Sequence, residues 1–279
     1  MLHNIEPHTF NNSFLENATE QEDDYILCYK ENSILLLQAE HDFVIPRRRD
    51  FDEPFSDATH YLFSLDGVPC FLLKEYGGSN AAFVYHDHQF LRTMPNRELS
   101  YIGAVGFHFH LWQDEHKFCS RCGTKTTFKK SERAILCPAC ELTVYPKISP
   151  AIIVAITCGN KILLAKGTHY KFNFYSLVAG YSDIGETLEQ TVVREVKEEV
   201  GIEIKNLRYY ASQPWPFSSS MMIGFFAEAD DKQPIVIDTN EIHDAQWYSR
   251  DALPETPGNI SIAGEMIELF RQGKHERLL

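Results

Sequence analysis

Hydrophobic residues recur along this chain with two different periods, and the switch between them marks out its elements. At Leu188, Val192, Val193, Val196 and Val200 the spacing suits one apolar helical stripe, which predicts an amphipathic helix over 188–200. Thr187 and Gln190 suit a capping box at its start, and Gly201 suits the left-handed residue that ends it. Apolar runs bounded by turn residues predict strands at 24–30, 33–38, 60–65, 68–74 and 81–86, with turns at Glu31-Asn32 and Asp66-Gly67. A long aromatic-rich helix follows over 97–114. In the second half, strands are predicted at 151–157 and 161–166 across Cys158-Gly159-Asn160, then at 175–179, 207–211, 222–227 and 244–249, before a closing helix over 260–271. Residues 1–23 are polar and irregular, and Tyr145-Pro146-Lys147-Ile148-Ser149-Pro150 is a stiff connector.

Such a pattern fits more than one core. A chain of 279 residues with 44% hydrophobic content has the size for two. The formal net charge of −13 argues against broad nucleic-acid affinity, because binding phosphates needs clustered Lys and Arg. The densest basic run, Arg47-Arg48-Arg49, reads as a solvated turn. Met1-Leu2-His3-Asn4 opens without an apolar signal core, no 18-residue apolar run predicts a membrane span, and Glu276-Arg277-Leu278-Leu279 does not match a peroxisomal address. Cytoplasm is therefore the expected compartment.

The predicted helix over 188–200 carries the candidate chemistry. Glu195 and Glu199 lie one turn apart at the border of its apolar stripe, and Glu198 lies further toward solvent. Like charges so placed repel, and half-burying them is costly unless a hard cation such as Mg²⁺ or Mn²⁺ neutralises them; the alternative is a solvated acidic face. A longer pattern decides between these. Gly180, Glu186, Arg194-Glu195-Val196, Glu198-Glu199 and Gly201-Ile202 stand at the fixed positions of a Nudix box. The chain thus resembles the Nudix hydrolases. That resemblance implies an α/β/α sandwich with a mixed sheet, and metal-dependent attack of water on a nucleoside diphosphate. It also implies Glu195 and Glu199 as metal ligands, Glu198 as ligand or base, Arg194 as the residue that holds them, and Glu186 as support for the loop.

About ten residues beyond the box stands Ser212-Gln213-Pro214-Trp215-Pro216-Phe217-Ser218-Ser219-Ser220. Its two prolines forbid a regular central strand, so a rigid loop is predicted, whose aromatic rings either stack on a planar ligand or plug the core. The string resembles the SQPWPFPxS signature of the NADH pyrophosphatase branch of the Nudix family, with Ser218 in place of a proline. That resemblance implies that Gln213, Pro214, Trp215, Pro216, Phe217, Ser218, Ser219 and Ser220 bind a nicotinamide dinucleotide.

Cys119-x2-Cys122 and Cys137-x2-Cys140 have the spacing of a tetrahedral Zn²⁺ site. Two disulfides would use the same cysteines, but a reducing cytoplasm favours the metal. With all four positions filled by protein, one structural zinc per chain is expected. His108, His110 and His116 lack a common helical face and are expected to be ordinary core or surface residues. The same branch of the family has an N-terminal domain, a zinc ribbon and a Nudix domain in this order. The expected boundaries are 1–115 for a smaller domain of antiparallel sheet plus helix, 116–145 for the ribbon and 146–279 for the Nudix domain, an α+β or α/β chain overall.

Counting from these anchors, the resemblance further implies Glu132, Tyr145, Tyr181 and Ala263 as substrate contacts. It adds Glu241 and the backbone carbonyl of Ala179 to the metal site. What it implies as function is hydrolysis of NAD(H) to nicotinamide mononucleotide and AMP, by a homodimer. Removal of an NAD cap from RNA uses the same bond and is the alternative. A non-catalytic nucleotide sensor would need a broken metal site, and this box is intact.

Overall fold

The computed structural model describes residues 1–40, 42–51, 54–55, 59–168 and 174–275; the C-terminal address motif tested above lies outside them. The chain divides into two compact units, one of residues 1–2, 148–215 and 220–279, the other of residues 3–147 and 216–219. Among the described residues no helix is long and apolar enough to cross a membrane.

In the unit that begins at His3, seven strands form one sheet: β1 (Phe10–Asn11), β2 (Tyr25–Lys30), β3 (Ser33–Gln38), β4 (Phe43–Val44), β5 (His60–Leu65), β6 (Val68–Leu73) and β7 (Phe83–Asp87). Their order is β1-β5-β6-β2-β3-β4, with β7 on β3. Asp66 and Gly67 take positive φ angles of 52° and 79°, which joins β5 to β6 as a tight hairpin. The sheet is not purely antiparallel as expected. β2 and β3 pair only at Tyr29↔Ile34 and Lys30↔Ser33 beside their turn; the remainder of β2 then pairs in parallel with β6, and the remainder of β3 pairs with β7. Helix α1 (Arg97–Glu115) buries Ile102, Phe107 and Trp112. Its histidines have separate partners: His108 bonds the Lys147 carbonyl, His110 stacks on Tyr29, and His116 bonds the Trp112 carbonyl.

The ribbon follows in the same unit. Its strands β8 (Thr127–Phe128), β9 (Ile135–Leu136) and β10 (Thr143–Val144) form a small antiparallel sheet.

The other unit is built on six strands: β11 (Ser149–Cys158), β12 (Lys161–Gly167), β13 (Val178–Tyr181), β14 (Lys205–Trp215), β15 (Ser220–Glu228) and β16 (Ile242–Ser249). The order is β14-β15-β11-β12-β16 with β13 on β11, and only the β11–β15 pair is parallel. The alternation of β11 makes two cores. Ile152, Val154 and Ile156 pack under helix α2 (Leu188–Val200) on one face, whereas Ile153 and Ala155 pack under α3 (Ile262–Arg271) on the other. The result is an α/β/α sandwich.

Two expectations are corrected here. The predicted loop over 212–220 shrinks to the turn at 216–219, because β14 runs on through Pro214 to Trp215. This is possible because β14 is an edge strand, where the missing N–H of proline leaves no partner unsatisfied on the open side. Val193 is 55% exposed rather than part of the stripe. The buried arc of α2 is rotated toward Thr191, Glu195 and Glu199, so the carboxylates lie inside the packed face.

Candidate active site

The site grows from how α2 is started and stopped. The Gln190 amide donates to Thr187 Oγ1 at 3.2 Å, and the Thr187 amide donates to Gln190 Oε1 at 2.8 Å. At the other end Gly201 has φ 75° and donates to the Val196 carbonyl. Between these caps the Arg194 guanidinium gathers the acidic groups. Its Nε and Nη2 hold both oxygens of Glu186 at 2.6 and 2.8 Å, its Nη1 holds Glu195 at 2.7 Å and Glu198 at 3.0 Å, and Nη2 also donates to the Tyr181 carbonyl. Arg194 keeps its proton more tightly than usual through these bonds, chiefly the one to Glu186. Glu186 in turn is held down to about pKa 2 by Arg194, and it also accepts from the Asp183 amide and the Thr191 hydroxyl. Thr191 was not singled out in the sequence; its burial in the first turn of α2, five residues past Glu186, is the signal for it.

The two remaining carboxylates face inward. Glu195 is buried, and burial raises its pKa despite the Arg194 bond. Glu199 is buried with Oε2 lacking any hydrogen-bond partner, and its pKa is pushed up to about 8 by burial first and then by the charges of Glu195, Glu241 and Glu198. Glu198, by contrast, is 58% exposed in its side chain. Glu241 lies in the turn before β16, fixed by bonds from its amide to the Asp238 carbonyl and from the Thr168 amide to its carbonyl. The Asp238 amide bonds the Glu199 carbonyl, which ties that turn to the end of α2.

Gly180 explains how Glu195 fits. A Cβ built there would meet the Glu195 carboxyl carbon at 2.0 Å and its oxygens at 2.2 and 2.3 Å. Its neighbour Ala179 precedes it on β13, paired with Ile153. The clash falls on the carboxyl end of Glu195, which is buried and bonded to Arg194, so Gly180→Ala should destabilise by about 1–3 kcal/mol, displace Glu195 and lower kcat by tenfold or more. Thermal melting alongside turnover checks this, and unchanged turnover would contradict it.

Among the described residues the four cysteine sulfurs are the one group of three or more candidate ligand atoms lying within 4.8 Å of one another. The carboxylates of α2 and Glu241 are spread more widely. Their donor set nonetheless fits hard divalent cations: carboxylate oxygens with a buried one unpartnered and the charge uncompensated. In the ribbon the sulfur separations include 3.6 Å for Cys119–Cys140 and 3.4 Å for Cys122–Cys137, near the edge of about 3.8 Å that four Zn–S bonds require. Each knuckle closes on a left-handed residue just after its second cysteine, Gly123 at φ 74° and Glu141 at φ 59°.

The remaining sequence-predicted residues divide. Tyr145 donates to both Glu132 oxygens at 3.3 and 3.4 Å, so two positions thirteen residues apart come together. Tyr181 is exposed at the end of β13. Pro214 and Trp215 are half-buried on β14, Pro216 is buried, Phe217 is half-buried, Ser218 is exposed, Ser219 is half-buried at φ 52°, and Ser220 is buried at the start of β15. Phe217 lies near the His88 and Arg92 side chains of its own unit. Ala263 is buried in the α3 core. Gln213 departs from its expected role: fully buried, its amide donates to the Ile260 carbonyl and accepts from the Ile262 amide, so it caps α3 and has no free edge for a ligand. Gln213→Ala should therefore cost about 1–3 kcal/mol through the orphaned backbone groups, read as a lower melting temperature.

A glutamate-bearing helix held by one arginine over a mixed sheet defines a Nudix domain. The chain matches the NUDIX domain model over residues 147–270 and the NADH pyrophosphatase zinc ribbon domain model over 114–145. It is 39% identical over 223 residues to the NAD-capped RNA hydrolase NudC of Pseudomonas fluorescens Pf-5, covering 76% of this chain and 77% of that protein. It is 44% identical over 184 residues to the NudC of Pseudomonas aeruginosa PAO1, where the match covers 65% of this chain and spans 64% of the relative's length. A solved NUDIX hydrolase from Nitrosomonas europaea is 20% identical with a TM-score of 0.48, covering 57% of this chain and 92% of that one. The chain belongs to the Nudix family, in the branch that carries the NADH pyrophosphatase zinc ribbon.

Proposed function

We propose that the protein hydrolyses the diphosphate of NAD(H), releasing nicotinamide mononucleotide and AMP. The observation that carries this reading is the Arg194-centred cluster, which holds Glu186, Glu195 and Glu198 while leaving the buried Glu199 Oε2 unpartnered. Glu195, Glu198, Glu199 and Glu241, with the Ala179 carbonyl, would hold Mg²⁺ or Mn²⁺. When bound, such cations offset the diphosphate charge and lower the pKa of water.

The protein's own groups do the positioning. Arg194 fixes the rotamers of Glu195 and Glu198 by direct bonds, and Glu186 fixes Arg194 from the other side. In this reading Glu198, exposed and bonded to Arg194, or Glu241 accepts the proton of the attacking water. Within the unit that begins at His3, Phe217 offers a ring, Glu132 and Tyr145 a polar pair, and Pro216, Ser218 and Ser219 further contacts; within the Nudix unit, Tyr181 and Trp215 offer rings, and Pro214, Ser220 and Ala263 a wall, for nicotinamide or adenine. Gln213 supports that wall by fixing the start of α3.

NAD-capped RNA is a second substrate by the same chemistry; the names of the NudC relatives favour it. The working form is a cytoplasmic homodimer with one structural zinc per chain, held by Cys119, Cys122, Cys137 and Cys140. Product analysis decides the matter: NADH, NAD⁺, ADP-ribose and NAD-capped RNA are each incubated with and without added Mg²⁺ or Mn²⁺. AMP release from NADH that needs the cation supports the reading, and no release from NADH overturns it.

A further inference from the structure

Residues 181–187, which lead from β13 into α2, place no side chain in either hydrophobic core, and Ile184 is fully exposed. Polar bonds therefore shape this loop, and three of them meet at one atom. Glu186 Oε2 accepts from the Asp183 amide at 3.1 Å, from Thr191 Oγ1 at 3.0 Å and from Arg194 Nη2 at 2.8 Å. The loop, the first turn of the helix and its second turn all converge on that oxygen.

Thr191 differs from the other two donors. It is completely buried, on the face of α2 that packs on the sheet, and its branched side chain has few rotamers within a helix. The Arg194 side chain is long and 29% exposed, and the Asp183 amide belongs to the exposed loop itself. A hydroxyl on a helix commonly donates to the carbonyl four residues back, and the Thr187 carbonyl does lie 3.1 Å from Thr191 Oγ1. That carbonyl, however, already accepts from the Thr191 amide at 2.9 Å, whereas Glu186 is a carboxylate, to which hydrogen bonds are stronger. The one hydroxyl proton therefore belongs to Glu186.

We propose that Thr191 is a positioning residue for the hydrolysis. Its hydroxyl pins Glu186 to the packed face of α2, Glu186 holds Arg194 through Nε and Nη2, and Arg194 Nη1 holds Glu195 and Glu198. A chain of bonds thus runs from the core to the carboxylates of the site, and the hydroxyl sets how narrowly they are aimed. Buried as it is, Thr191 acts through Glu186 and not on the substrate. This rests on those carboxylates holding the divalent cation.

The test compares the full-length zinc-loaded protein with Thr191→Val, which keeps the shape and removes the hydroxyl, with Thr191→Ser, which keeps the hydroxyl, and with Glu186→Ala alone and combined with Thr191→Val. Besides melting temperature, the readouts are the Kd for Mn²⁺ without substrate, from the electron paramagnetic resonance of the free ion, and kcat and KM for NADH with Mn²⁺ added. Thr191→Val should raise the Kd about threefold to tenfold and lower kcat by a similar factor with KM unchanged, at a melting temperature within about 4 °C of the parent. Thr191→Ser should hold both values within about twofold of the parent, since a serine hydroxyl donates the same bond. Beside Glu186→Ala, the valine should change the Kd by less than about twofold, because the acceptor is gone. Parental Kd and kcat in Thr191→Val overturn the proposal. So does a valine effect that persists at full size beside Glu186→Ala or that Thr191→Ser shares, since either marks a role in packing alone. Failure of the underlying reading shows in the unmodified protein, which would then bind no Mn²⁺ or release no AMP from NADH, and it overturns the proposal too.

Discussion

Replacing Glu199 by Gln is expected to lower kcat on NADH by on the order of a hundredfold or more, while the metal-free protein becomes as stable as the parent or more so. The two effects have one cause. In the folded, metal-free chain the Glu199 carboxyl holds its proton up to about pH 8, because it is buried among other carboxylates, whereas its ordinary value is 4.5. Between those values the folded state binds more protons than the unfolded one, so stability falls as pH rises. At about 1.36 kcal/mol per pKa unit, the ionised group costs the folded state on the order of a few kcal/mol once the pH passes the upper value. The substitution removes that penalty by supplying a neutral amide of the same shape. Melting curves of the metal-free proteins from mildly acidic to mildly basic pH should slope downward for the parent and be flatter for Glu199→Gln. A variant that keeps its turnover would contradict the role given to this carboxylate, and a flat parental curve would contradict its environment.

The burial of Glu195 and Glu199 explains why the α2 stripe was only partly legible in the sequence. The period of Val192, Val196 and Val200 located the helix, and the Thr187, Gln190 and Gly201 signals located its ends, because each is a local rule acting within a few residues. Which flank of the stripe is buried is a tertiary matter. Hydrophobicity alone ranks Val193 as inside and Glu195 as outside; the packing of Gly180 against the Glu195 carboxyl reverses that order. A glycine contributes no side chain to a hydrophobic pattern, so the space it clears is not visible in one.

The same division holds elsewhere. The hairpin at Asp66-Gly67 was readable because turn chemistry is local. The parallel β2–β6 pair was not, since it joins strands about forty residues apart. Pro214 argued against a strand by a rule that holds for central strands, and strand order, which makes β14 an edge, is not written in its own residues. Gln213 and the pairing of Tyr145 with Glu132 were equally out of reach of local rules. The tyrosine and glutamate do meet, while the glutamine is taken up by the backbone at the start of α3.

Substituting Cys137 by Ser is expected to abolish zinc binding and to unfold the ribbon while the Nudix sandwich stays folded. The reason is how little else the ribbon has. Its three strands are two residues each, and its buried apolar side chains besides the cysteines are Ala134 and Ile135. A sheet of that size is not stable in water by its own hydrogen bonds. Small domains of this kind draw apparent metal-binding energies of about 10–16 kcal/mol, much more than such a core supplies. Cys137 is the most buried of the four ligands, so a hydroxyl there leaves three thiolates and a desolvated polar group. Metal analysis should fall from one zinc per chain to none, and limited proteolysis should cut between residues 116 and 145 in the variant but not in the zinc-loaded parent. Turnover of NADH should fall with it, because Tyr145 and Glu132 both lie on this segment and lose their mutual bond when it opens. Chelation of zinc from the parent should reproduce the cleavage pattern, and a ribbon that resists protease without metal would show that its few apolar contacts suffice.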